Sequence, residues 1–338
     1  MTNKKITLTD IARELGVSKT LVSLVLNGKG NANAINKDTQ KKVLQKAQEL
    51  NYKPNQVARG LRMGITNTIG LLVADISNPF YARIARIIEH HADIEGYSLI
   101  VCSSDEDEER ELKLIRMLTN RQVDGIIMAS TLQDPATIEQ LINQKFPIVL
   151  FDRYFKNLDC NYVGVDNTDA ALQAVSLLIR KGHRNIGFLT LTPDYISSLQ
   201  DRKQGYTMAL ENAGISQQEK LILELDYRDV KKKHYNQIKE FIIKNNEISA
   251  IFTTNNSLAV GCIDAIKELG LQIPEDISLI TFDDVELFKY ISPALSSIAQ
   301  PVEDIGKTAV SILLNQLKSG EAQCIKQELQ ANLIIRES

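Results

Sequence analysis

The sequence predicts two architectures in one chain: an α-helical N-terminal domain built on a helix-turn-helix, and an α/β core of two doubly wound parallel-sheet subdomains. Three observations predict it. The first 53 residues carry short amphipathic segments around a Gly-Val-Ser turn. From Thr68 onward, apolar β-branched runs alternate with helical stretches. Charge is also divided unevenly, with 12 Lys and Arg against 4 Asp and Glu in residues 1–64, a balance of +8, and a balance of −11 in the remainder.

The first helix opens at Thr7, which with Asp10 three residues on forms a capping box. Ile11, Ala12 and Leu15 recur at helical spacing and supply its buried face. Gly16 suits the sharp turn that follows, because it accepts a left-handed backbone without steric cost. Val17 plugs the junction, and Ser18 caps a second helix over Lys19 to Leu26. In a helix-turn-helix, that second helix enters the DNA major groove. Gly-Val-Ser alone is a common string. Positive charge concentrated on the same segment is what phosphate binding requires, and it turns the motif into a DNA-binding prediction.

Asn36 caps a third helix, Lys37 to about Leu50, with Val43, Ala47 and Leu50 inside and Lys41, Lys42 and Lys46 outside. The intervening Gly28-Lys29-Gly30-Asn31-Ala32-Asn33-Ala34-Ile35 is expected to be a mobile polar loop. Pro54 stops regular structure, and the following segment is too short to be a stable free helix. Residues 54–67 therefore read either as a hinge helix that folds against DNA or as a plain linker. The domain boundaries that result are 1–53, 54–67 and 68–338.

Nine strands are expected in the core: Thr68–Ala74, Tyr97–Cys102, Gly125–Met128, Ile148–Phe151, Tyr162–Val165, Ile186–Thr190, Leu221–Leu225, Ile251–Thr254 and Ile277–Phe282. Near-continuous apolar strands between amphipathic helices indicate parallel sheets covered on both faces. Their ends run into Asp75 and Asn78, Asp152, Asp166, Asn256 and Asp283. Ligands of open α/β sheets bind beyond the carboxyl ends of the strands. Carboxylates and amides gathered there, with Phe80, Tyr81 and Phe252 as flat apolar surfaces, suit a polyhydroxylated ligand. Each such Asp or Asn is equally an ordinary helix N-cap, so the prediction rests on the set.

No dinucleotide or P-loop fingerprint is present, the four histidines lack metal-ligand spacing, and no nucleophile stands with a base. No cofactor, metal or catalytic residue is expected. Cys102, Cys160, Cys262 and Cys324 lie far apart and read as reduced thiols. Without a signal region or an apolar membrane span, the reading is a cytoplasmic protein.

The chain resembles transcriptional repressors of the LacI/GalR family. The resemblance rests on Thr7 to Ala12, Gly16-Val17-Ser18, Asn51-Tyr52-Lys53-Pro54-Asn55 and Ala58-Arg59-Gly60-Leu61. It continues through Ser77-Asn78-Pro79-Phe80, Gly182 to Gly187, Arg202 to Tyr206, Pro274 to Ser278 and Phe282-Asp283-Asp284. It implies a core with the fold of type I periplasmic binding proteins and a homodimer on a pseudo-palindromic operator of double-stranded DNA. Effector, a sugar or sugar derivative, would sit between the subdomains.

The implied DNA contacts are Thr7, Leu8, Ser18, Lys19, Thr20, Val22, Ser23, Asn27, Tyr52, Asn55, Val57, Ala58 and Leu61. Of these Lys19 and Thr20 begin the base-reading helix, and Leu61 is the minor-groove wedge. For the effector, the resemblance adds Ser198 and Arg202 to the strand-end residues and Phe80. Arg153 is either a second anion contact or, by a small margin, a surface residue. A purine held between Phe80 and Phe252, or control by a phosphocarrier protein, remains as an alternative.

Three positions depart from the family pattern. Leu21 and Leu24 stand where Thr and Arg are common, so the operator sequence does not carry over. Asn256 replaces a frequent Asp. The loop after Asn27 is longer than usual.

Overall fold

The computed structural model describes residues 6–52, 65–228, 231–319 and 324–338. The chain divides into two units, Met1–Thr66 and Asn67–Ser338.

The first unit holds α1 (Leu8–Leu15), α2 (Lys19–Leu26) and α3 (Lys37–Glu49). Thr7 and Asp10 form the reciprocal capping box: the Thr7 amide donates to Asp10 Oδ2 at 2.9 Å and the Asp10 amide to Thr7 Oγ1 at 3.4 Å. Gly16 turns the chain at φ 63°. Ser18 then caps α2 by accepting the Leu21 amide at 3.1 Å. Ile11, Ala12, Val22, Val25, Val43 and Ala47 close a small core among the three helices. The loop after Asn27, expected to be mobile, is tied down. Ile35 donates its amide to the Gly30 carbonyl at 2.9 Å, and Gln40 Nε2 reaches the Ile35 carbonyl at 2.7 Å and Asn31 Oδ1 at 3.0 Å. The longer loop is thus a folded excursion built on α3.

In the second unit, the first lobe contains β1 (Thr68–Val73), α4 (Pro79–Ile94), β2 (Ser98–Ser103), α5 (Glu108–Asn120), β3 (Gly125–Met128), α6 (Ala136–Asn143), β4 (Ile148–Phe151) and β5 (Asn161–Val165). The second contains α7 (Asn167–Arg180), β6 (Ile186–Thr192), α8 (Ser197–Asn212), β7 (Ile222–Asp226), α9 (Lys231–Lys244), β8 (Ala250–Thr253), α10 (Asn256–Glu268), β9 (Ser278–Phe282) and β10 (Ser296–Ala299). The chain then returns through α11 (Val302–Ser319) and β11 (Lys326–Leu329) to the first lobe, and ends with β12 (Asn332–Ile334) in the second.

The sheet orders are β11-β5-β4-β3-β1-β2 and β12-β10-β9-β8-β6-β7, two versions of one plan. All recorded pairings are parallel except β10 with β12. Ile69, Leu71 and Val73 face one helical layer and Leu72 the other, as a sheet buried on both faces requires. β10, β11 and β12 were not among the expected strands. Ser296-Ser297-Ile298-Ala299 and the exposed Lys326-Gln327-Glu328 lack the apolar run by which a buried strand is recognised.

The lobes are joined at three crossings, after β5, after β10 and after β11. α7 packs on α8 within the second lobe, and α11 on α4 in the first. The α7–α8 contact is close because of Gly205. A Cβ there would stand 2.8 Å from the Ala171 Cβ and collide with the Thr168 carbonyl. Gly205→Ala is therefore expected to lower stability by about 2 kcal/mol, the ordinary range for overpacking, seen as a lower urea midpoint at unchanged slope.

Candidate functional site

In the first unit, Lys19, Thr20 and Asn27 are exposed on α2 and Ser23 is half-buried beside them. Residues 20, 23 and 27 share one helical face. Asn27 Nδ2 donates back to the Ser23 carbonyl at 2.7 Å, which fixes the end of that face. Thr7 and Ser18 are exposed and already engaged as caps, each at a helix N-terminus where backbone N–H groups favour a phosphate. Leu8 and Tyr52 are half-buried against the three-helix core. Val22, expected at the DNA, is wholly buried in that core. It lies on the opposite side of α2 from the exposed stripe and supports the reading helix from behind. Asn55, Val57, Ala58 and Leu61, and with them hinge residues 54–64, lie outside the described residues.

In the second unit, a cleft opens at the carboxyl ends of both sheets. The first lobe contributes Asp75 after β1, Asn78, Phe80 and Tyr81 at the start of α4, Glu106 after β2, and Asp152 and Arg153 after β4. The second contributes Leu191, Pro193, Ile196, Ser198 and Arg202, then Tyr227 after β7, Asn255 after β8 and Asp283 after β9. Asp152 and Asp283 occupy equivalent ends of β4 and β9, and both take left-handed backbone, φ 63° and 69°. This conformation is uncommon for a side-chain-bearing residue, though Asp tolerates it better than most. It turns the chain sharply at the sheet edge, and both carboxylates line the cleft.

Arg202 is buried and held from several sides. Its Nε donates to Asn167 Oδ1 at 2.8 Å, Nη1 donates to the Thr254 carbonyl at 2.7 Å, and Nη2 lies 3.8 Å from Asp152 Oδ1. Its Cζ stands 3.6 Å from the centroid of the Phe282 ring, a cation–π contact. Tyr81 donates its hydroxyl to Asp152 Oδ2 at 2.7 Å. Asp283 accepts from Gln300 Nε2 at 2.7 Å, and burial pushes its carboxyl up to about 6 in spite of the Arg202 charge nearby. Arg153, for which a surface position was favoured, is buried and grips Glu106 with both terminal nitrogens.

Several hydrogen bonds cross between the lobes. Asn256 Nδ2 donates to Asn78 Oδ1 at 3.0 Å. The Tyr154 amide donates to Ser197 Oγ at 2.8 Å and its hydroxyl to Asp201. Tyr195 donates to the Thr131 carbonyl and Glu108, and Tyr227 and Asp75 face the same cleft from opposite lobes.

Of the sequence-predicted effector residues, Asp75, Asn78, Phe80, Asp152, Ser198, Arg202 and Asp283 meet at the cleft. Three do not line it. Phe252 is wholly buried among Phe188, Tyr206 and Phe282, because residues of β8 point alternately into the two helical layers. Asp166 is exposed and caps α7 by accepting the Asp169 amide at 2.8 Å. Asn256 acts as a latch between lobes. Sequence reasoning missed Glu106, Tyr154, Tyr195, Tyr227 and Phe282. Glu106 lies within the acidic run Asp105 to Glu109, which reads as a solvated surface, and the tyrosines follow no motif. Among the described residues, no cluster of His, Cys, Asp and Glu is placed to hold a metal ion, and no helix is long and apolar enough to cross a membrane.

Residues 7–55 match the lacI family of bacterial regulatory proteins, and residues 175–338 match a periplasmic binding protein-like domain. The HTH-type transcriptional regulator RegA of Clostridium saccharobutylicum is 37% identical over 333 residues, 97% of this chain and 98% of that protein. The chain belongs to the LacI family. The ribose operon repressor of Haemophilus influenzae is 34% identical over 339 residues, covering 98% of each. A lac repressor dimer bound to operator and the anti-inducer ONPF shares the architecture over 99% of each chain, with a TM-score of 0.86 and 27% identity. As a LacI-family member, the chain is a DNA-binding transcriptional regulator, and its relatives are regulators of transcription.

The pH dependence of the LacI-family core follows from Asp283. Its carboxyl titrates near 6 when folded, against an ordinary value of 3.8. Between those values the folded state keeps a proton that the unfolded chain has released, so stability falls as pH rises from about 4 to about 6. Asp283→Asn is expected to remove this part of the fall, read as a smaller difference between urea midpoints at pH 4.5 and pH 7 than in the wild type.

Proposed function

We propose that the chain is a homodimeric repressor whose affinity for a pseudo-palindromic operator is controlled by a small carbohydrate or carbohydrate derivative. The observation that carries the reading is the cleft itself. It brings the carboxylates of Asp75, Asp152 and Asp283, at the strand ends of two lobes, into one cleft with Phe80. Carboxylates accept hydroxyl hydrogens in pairs, and a ring covers the C–H face of a sugar. The dimer and the operator are argued from the likeness to the lac repressor complex, and a sugar from the ribose operon repressor.

Control is a matter of linkage. A ligand in the cleft exchanges cross-lobe bonds such as Asn78–Asn256 and Tyr154–Ser197 for bonds of its own, and the angle between the lobes changes. Through the hinge at 54–67, that angle sets how the two DNA-reading units of a dimer are spaced. Coupling of this kind is typically worth about 1–3 kcal/mol. A purine between Phe80 and Phe252 is less well supported, since Phe252 is wholly buried and offers no second ring.

Fluorescence anisotropy on palindromic DNA from the region upstream of its own gene, with and without a panel of sugars, tests the reading. Tight binding that one sugar shifts about tenfold or more is expected. Binding that no sugar shifts, but that a phosphocarrier protein does, would replace the small-molecule part. Absence of binding at low salt would refute the DNA-binding assignment. Lys19→Ala is expected to weaken operator binding by about 1–3 kcal/mol. A uniform loss on all sequences with a shallower salt dependence would move Lys19 from base reading to phosphate contact.

A further inference from the structure

We propose that Glu106 sets the charge selectivity of the cleft: by occupying the guanidinium fork of Arg153, it favours uncharged hydroxylated ligands over sugar acids and sugar phosphates. The inference rests on the reading of the cleft as a carbohydrate site.

Glu106 is brought to the cleft by an unusual loop. β2 is the edge strand of its sheet, yet the chain beyond it folds inward over the end of β1. The Ser104 amide donates to the Val73 carbonyl at 2.9 Å, and the Glu106 amide to the Ala74 carbonyl at 3.1 Å. Asp105 and Glu106 are consecutive left-handed residues, φ 52° and 56°. Side-chain-bearing residues avoid that region, and two in succession persist only where the surroundings hold them. Here Asp105 is held by Ser103 Oγ at 2.6 Å and by Arg110. The outcome is a Glu106 side chain 8% exposed, aimed from an otherwise solvated acidic run into the cleft.

An anionic ligand needs free donors, ideally the paired donors of a guanidinium. The cleft has two guanidiniums. In Arg153, Nη1 and Nη2 are both taken by Glu106, with Nη1 at 2.6 Å from Oε2. Arg202 is tied to Asn167 and the Thr254 carbonyl, and its Nη2 faces the Asp152 carboxylate at 3.8 Å, so its charge is already met by an acid of the cleft. Against these two cations stand the carboxylates of Asp75, Glu106, Asp152 and Asp283. A phosphate or carboxylate would enter a net negative site, and would have to displace Glu106 and leave it buried and unpaired.

Isothermal titration of the full-length protein with D-ribose, D-glucose, ribose 5-phosphate, glucose 6-phosphate and gluconate tests the proposal. In the wild type, an uncharged sugar is expected to bind about a hundredfold or more tighter than its phosphorylated or acid form. Glu106→Gln releases the Arg153 fork and is expected to shift that ratio at least tenfold toward the anion. Adding Arg153→Met to Glu106→Gln is expected to abolish the shift. An anion bound as tightly as its parent sugar in the wild type overturns the proposal, as does an unchanged ratio in a folded Glu106→Gln. If Glu106→Gln does not fold, the wild-type ratio decides alone. If neither class binds to any variant, the carbohydrate reading fails, and the proposal with it.

Discussion

The Arg202 guanidinium is a charge taken out of water, which is tolerable only when its donors are bonded and an opposite charge is near. Meeting those demands fixes much of the second lobe. The Nε bond requires the first residue of α7, Asn167, and the Nη1 bond requires the chain just beyond β8. The flat face requires Phe282 at the end of β9. Three separate elements and α8 must therefore converge on one side chain. Gly205, near the middle of α8, lets α7 come close enough for that to happen. Nη2 then extends toward Asp152 in the other lobe, so the group that organises one lobe also reaches the facing wall.

The two lobes repeat one plan, and the repeat divides the chemistry. Asp152 and Asp283 stand at equivalent strand ends with the same left-handed turn. Each finds a neutral donor in its own lobe, Tyr81 for one and Gln300 for the other. Both are buried, and burial raises the carboxyl of Asp283. Arg153 follows Asp152 in one lobe, while Asp284 follows Asp283 in the other and is held by Arg336 on its own side. The shared plan thus supplies the frame, and local residues make its two faces unlike.

The fold was legible wherever burial repeats with a regular period. The capping box at Thr7, the cap at Ser18 and the nine apolar strands follow from rules that act within a few residues. β11 was not legible because its stability lies in pairing with β5, some 160 residues earlier, and not in its own composition. The same division holds in the cleft. Asp75, Asp152 and Asp283 announce themselves as polar residues that end apolar runs. Phe252 misleads because it ends such a run as well, and only the alternation of β8 turns it inward. Val22 misleads for the helical counterpart of that reason. Glu106 is hidden by its neighbours, since nothing local separates the one acid that turns inward from the four around it.

Both lobes receive their final strand from the same short stretch, β11 for one sheet and β12 for the other. While the chain is being made, each sheet is therefore incomplete until residues 326–334 have emerged. Until then the outer backbone groups of β5 and β10 are open edges, the kind of surface on which strands of other molecules pair. The polar, charged sequence of β11 suits this position, because a late edge strand of Lys, Gln and Glu closes the sheet without offering a sticky margin of its own. Safe assembly of this regulator thus depends on the interval between making its β5 edge and covering it, an interval set by the order of the strands along the chain.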